Sequence, residues 1–117
     1  MNYTSYFGNF RNVKNPIAIC GKSPDFYKGP EYKKLVPKYS FFKDWKDGII
    51  DNDGYTTLYN EMLETLDVHS VYKVLCGFYK DESFTLLCYE KSGDFCHRHL
   101  VADWLNKNGY EIKELQK

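Results

Sequence analysis

Excess charge of either sign is missing from this 117-residue chain: its 16 Lys and Arg balance 16 Asp and Glu. Without a net field, nothing steers it to nucleic acid or to an anionic membrane surface, so neither partner is expected. No apolar run approaches the roughly 20 residues of a membrane span. Arginine is scarce, with Arg11 and Arg98 the only two. Cysteine is limited to Cys20, Cys76, Cys88 and Cys96, and no pair has the C-x-x-C spacing of a redox motif. The Cys-to-Arg spacing of a phosphatase loop is absent too. The amino terminus is polar and aromatic rather than basic and then apolar, which argues against a secretory leader. Free thiols in a reducing cytoplasm are therefore expected, with a Cys88–Cys96 disulfide as the alternative. Repeats and low-complexity tracts are also lacking. Asp51-Asn52-Asp53-Gly54 looks like part of a calcium loop, but Ile49 and Asn60 then fall where the loop needs carboxylates.

What the chain has in plenty is rings. Aromatic residues make up 18%, including 11 Tyr and 8 Phe, within a hydrophobic content of 43%. Such a supply fits a well-filled core or a pocket walled by flat side chains. The length suits one domain spanning residues 1–117.

Short apolar runs read as strands at Tyr3–Phe7, Ile17–Cys20 and Ser83–Tyr89, with an edge strand at Tyr110–Lys113. Residues 22–37 carry three prolines and read as loop, with one helical turn at Glu31–Leu35. Phe41, Phe42 and Trp45 start a helical period that Gly48 stops. Tyr55, Leu58, Tyr59, Met62, Leu63 and Leu66 form a second helix, capped by Asp51 or Asp53. Asp67 caps a third through Val71, Val74, Leu75 and Phe78. The last helix is expected to open with Asp94 as N-cap and to end at Asn108-Gly109. The expected fold is a small Rossmann-like α/β domain of three layers, with about four mostly parallel strands and helices on both faces.

Reactive residue types gather at one strand-to-helix junction, Cys88-Tyr89-Glu90 followed by Cys96-His97-Arg98. Open α/β sheets bind ligands at such carboxyl ends. Helical phase puts His97 with Leu100, Val101 and Trp104 on the sheet-facing stripe. Arg98 lies beside that stripe with Ala102 and Leu105, and His99 turns to a polar face. Cys88, Cys96 and His97 offer a three-ligand zinc set, but their spacing matches no short zinc motif, and no metal or cofactor is assigned. The favoured partner is a small anionic molecule, of nucleotide type. The helix amides and Arg98 would hold its phosphate, and His97 could share that role or act as an acid. Glu90 would act as nucleophile or charge stabiliser in N-glycosidic cleavage or transfer. Cys96, near a helix start and two basic groups, is a second candidate nucleophile. Thr4, Ser5 and Arg11 are expected to border the same pocket if the first strand lies beside the 83–89 strand. Cys88 is read as a ligand-site neighbour or a small core residue. Two rival readings use the same residues: a non-catalytic nucleotide sensor, and redox or phosphoryl chemistry through Cys96.

The double motif resembles the family called domain of unknown function 488. Its members carry a strand ending Leu-Leu-Cys-x-Glu, here Leu86, Leu87, Cys88 and Glu90. Cys-His-Arg then opens a helix, here Cys96, His97 and Arg98, followed by Ala102 and Leu105. The opening Thr4–Arg11 and the stretches Cys20–Pro24 and Tyr32–Leu35 are similar as well. The resemblance implies a compact cytoplasmic α/β domain of bacterial or phage distribution, and no established activity.

Overall fold

A computed structural model describes residues 2–91 and 93–115. Four strands, β1 (Asn2–Tyr6), β2 (Pro16–Ala18), β3 (Thr85–Cys88) and β4 (Ile112–Glu114), form one sheet in the order β2-β3-β1-β4. Every pairing is parallel, with Thr4 opposite Leu86 and Glu114, and Ile17 opposite Leu86. The helices are α1 (Tyr39–Lys46), α2 (Asn52–Glu64), α3 (Val68–Cys76) and α4 (His97–Lys107). Short 3-10 helices lie at Phe7–Asn12 and Lys33–Leu35.

The layering follows from the strand order. The connections β2→β3 and β3→β4 run across the sheet in one direction, and β1→β2 runs in the other. Right-handed crossovers therefore send α1–α4 to one face and the first connection to the opposite face. Packing agrees. Ile17, Ile19, Phe84, Leu86 and Ile112 join a large cluster with Phe41, Tyr55, Leu63, Leu75, Val101 and Leu105 from the four helices. Ala18 and Leu87 face the other way, onto Phe7 and Tyr27. That third layer is thin, built from a 3-10 helix and the proline-rich loop. Adjacent strands β1 and β3 thus lead to opposite faces, whereas β2 and β3 both lead to the helical face.

Local chemistry sets most boundaries. Asp51 caps α2 by accepting from the Gly54 amide at 2.8 Å, and Asp67 caps α3 through Ser70. Gly109, at φ +94°, turns the chain away after α4 in a conformation that a side chain would strain. The start of α4 departs from the expectation. Its N-cap is Cys96, with no side-chain cap, and Asp94 lies in the preceding turn. The buried face of α4 is His97, Arg98, Val101, Trp104 and Leu105, so the stripe is rotated toward Arg98 and away from Leu100. Asp51→Ala should cost about 1 kcal/mol, the usual worth of a cap, and shift a urea melt by that amount. An unchanged midpoint would mean that packing alone sets the start of α2.

No helix among the described residues is long and apolar enough to cross a membrane.

Candidate functional site

A cavity of about 760 Å³ opens at the carboxyl ends of β2 and β3. Its walls are rings from three parts of the chain: Tyr39, Phe42 and Trp45 on α1, Tyr55 on α2, and Tyr89 and Phe95 in the β3–α4 loop. Trp45, Tyr55 and Phe95 pack mutually at 5.2–5.5 Å between centroids. Lys22 and Lys46 also line it, and both are exposed. Cys20, Cys88, Glu90, Cys96 and His97 contribute its reactive atoms.

Cys88 and Cys96, 1% and 2% exposed, bring their sulfurs to 2.6 Å as free thiols. His97 Nε2 donates to the Ile19 carbonyl at 2.7 Å, since a carbonyl can only accept. That contact fixes the ring and aims Nδ1 at Cys96 Sγ, 3.9 Å away. The Tyr59 ring, 5.5 Å from the imidazole, packs edge-on against it, and its own hydroxyl is tied to the Leu35 carbonyl. The histidine is thus clamped between the chain that leaves β2 and helix α2.

These contacts drive the titrating groups apart. The Cys88 thiol, as donor, pulls Cys96 well below the usual thiol range; burial opposes this, and His97 and the Arg98 amide add to it. Burial pushes Cys88 up, and its neighbour's negative charge reinforces the shift. Glu90 is raised by burial and then by the Cys96 charge and a hydrogen bond with Cys96; Lys46 and His97 partly offset this. Cys96 is therefore the anion of the set, and Glu90 is held toward its protonated form.

Arg98 does not offer the expected phosphate fork. Its side chain is 0% exposed, and its Nε and Nη2 donate to the two Glu114 carboxylate oxygens at 3.1 and 2.8 Å. Nη1 donates to the Glu90 carbonyl at 2.5 Å and lies 3.8 Å from Cys88 Sγ. Burial would weaken the guanidinium's hold on its proton, but Glu114 and the two sulfurs more than restore it. Arg98 shapes the loop from beneath and leaves the cavity to other cations. Thr4, Ser5 and Arg11 are not among the cavity residues either. Strand β1 does lie beside β3 as expected. Its Thr4 hydroxyl, however, donates to Glu114 at 2.6 Å, and Ser5 accepts from Asn9 on the opposite face. Arg11 is exposed in the 3-10 helix.

Glu90, Cys96, His97 and Cys88 do come together as the motif predicts. The helical spacing of Phe42, Trp45 and Tyr55 does not show that they wall a pocket; only the high aromatic content points to one. Cys88, Cys96 and His97 also place metal-type donor atoms within 4.8 Å of one another. Two thiolates on one tetrahedral zinc would stand about 3.8 Å apart, wider than this pair.

Residues 14–109 match the family model described as the active DUF488-N3 subclade. The chain belongs to the domain of unknown function 488 (DUF488) family. Neither the curated proteins nor the solved structures contain a match to it. The matched span holds every cavity residue of this DUF488 chain and excludes Thr4, Ser5, Arg11 and Glu114.

Proposed function

We propose that this DUF488 domain is an enzyme for a small, flat, anionic ligand of nucleotide type, with the Cys96 thiolate as nucleophile and Glu90 as proton donor. The observation that carries this reading is the opposed pair on one cavity floor: a thiol held well below the usual thiol range beside a carboxyl raised above the usual carboxylate range. Ring-lined walls suit a planar base, and Lys22 and Lys46 supply the positive charge that Arg98 does not. The subclade's designation as active is consistent with chemistry at these residues.

The reaction favoured is cleavage or transfer at an N-glycosidic bond. Cys96 attacks the anomeric carbon as the C–N bond breaks, and Glu90 gives its proton to the departing base. Water or another acceptor then displaces the sulfur, with its proton passing to the Glu90 carboxylate. His97, fixed by the Ile19 carbonyl, keeps the thiolate oriented. Glu90 thus takes the acid role in place of the nucleophile role read from the sequence.

A panel of nucleosides and nucleotides, read by thermal shift and then by chromatography for released base, tests this. The expected result is stabilisation with turnover. Cys96→Ala should remove turnover by about 10³-fold or more, and Glu90→Gln by about 10²-fold. Stabilisation without product from the unaltered protein would instead mark a non-catalytic sensor.

A further inference from the structure

Cys88 has no part in that reaction beyond its hydrogen bond, yet its placement is not that of a passive core residue. It ends β3 and Cys96 caps α4, so both sulfurs are held at the ends of regular elements. They lie at 2.6 Å, nearer the roughly 2.05 Å of a sulfur–sulfur bond than the spacing of two thiolates on a metal. Both line the cavity, which gives a small oxidant a route to them despite their burial from bulk solvent. The Arg98 Nη1, 3.8 Å from Cys88 Sγ, supplies positive charge where Cys88 would become a thiolate. The other cysteines have different surroundings: Cys20 Sγ is 3.8 Å from the Ser23 hydroxyl, and Cys76 lies on α3.

We propose that Cys88 is the resolving thiol of Cys96, and that the pair closes to a reversible disulfide which switches the site off in the presence of peroxides. This rests on the reading of Cys96 as a reactive thiolate. The Cys96 sulfur attacks a peroxide oxygen, the O–O bond breaks, and the leaving hydroxide or alkoxide takes up a proton. Cys96 is then a sulfenic acid. The Cys88 sulfur attacks the Cys96 sulfur, the S–O bond breaks, and hydroxide leaves with the Cys88 proton as water. Peroxide is reduced and the two thiols are oxidised by two electrons. A small thiol entering the cavity reverses the change by exchange, itself ending as a disulfide. While closed, the bond removes the nucleophile; it also diverts Cys96 from irreversible sulfinic acid.

The test uses the full chain with equimolar hydrogen peroxide, followed by intact mass, peptide mapping and dimedone trapping. The expected result is a loss of about 2 Da, assigned to a Cys88–Cys96 bond, and full recovery of both thiols with dithiothreitol. Cys88→Ser should instead accumulate dimedone-reactive Cys96 and pass on to sulfinic acid. A wild-type protein that gives sulfenic or sulfinic Cys96 with Cys88 still reduced overturns the resolving role and leaves the thiolate reading intact. Cys96 inert to peroxide in both proteins overturns both. Zinc retained by the purified protein on native mass spectrometry, with both thiols unreactive until it is chelated, overturns the proposal in favour of a metal site.

Discussion

Arg98→Ala should unfold the protein or lower its thermal midpoint by more than about 10 °C. The guanidinium has 0% exposure and is held by both oxygens of Glu114. Truncating Arg98 empties a fully buried site and removes both fork hydrogen bonds to a carboxylate that is itself only 19% exposed, at a cost of about 3 kcal/mol or more. In a domain of this size each kcal/mol moves the midpoint by roughly 3–5 °C. The Glu90 carbonyl, which accepts from Nη1, loses its anchor as well, so the loop carrying half the cavity floor should loosen. Arg98→Lys keeps the charge without the planar fork and should recover only part of the loss. Thermal unfolding followed by circular dichroism decides this. A variant that melts like the parent but no longer responds to nucleotide would return Arg98 to the role of ligand contact.

Cys96 should alkylate with iodoacetamide at a rate that stays flat from about pH 5 to pH 8, where an ordinary thiol gains about three orders of magnitude. The sign follows from the depressed thiol: it is ionised across this window, so raising pH creates no further nucleophile. At pH 5 an ordinary cysteine is ionised to about 0.03%, which gives Cys96 an advantage of about 3000-fold in thiolate. Weaker intrinsic nucleophilicity removes a large share of that, so the flat profile is more diagnostic than the absolute rate. Cys88→Ala removes the donor that contributes most to the shift and should restore a visible inflection. A wild-type Cys96 that titrates like a solvent-exposed thiol contradicts the proposed mechanism.

Features decided within a few residues were legible in the sequence. Asp51, Asp67 and Gly109 act where cap and turn chemistry put them, and the strands fall within one or two residues of their apolar runs. The motif also located the floor of the cavity. Decisions made across the fold were not legible. Asp94 is the better cap by residue type, yet α4 begins at His97, whose ring is tied to the Ile19 carbonyl just past the end of β2, far away in sequence. Arg98 reads as a free fork only until β4 brings Glu114 beside it, and no local pattern announces that pairing. Thr4 is drawn to the same carboxylate and so leaves the pocket it was expected to border. The ring wall escaped for a related reason: Phe42, Trp45 and Tyr55 have core-like spacing whether they meet other side chains or a cavity.

The strand order also governs when this molecule can assemble. The first strand pairs with nothing close to it in sequence. Its Asn2 side chain accepts from an amide 82 residues away, and its Thr4 hydroxyl reaches a carboxylate 110 residues away. Each contact closes a long loop before it repays the lost chain freedom, which slows the search. On a ribosome, β1 emerges first and waits unpaired until β3 and β4 have been synthesised. The sheet therefore closes late: β1 docks on β3, and β4, which pairs with β1 among the described strands, adds after it.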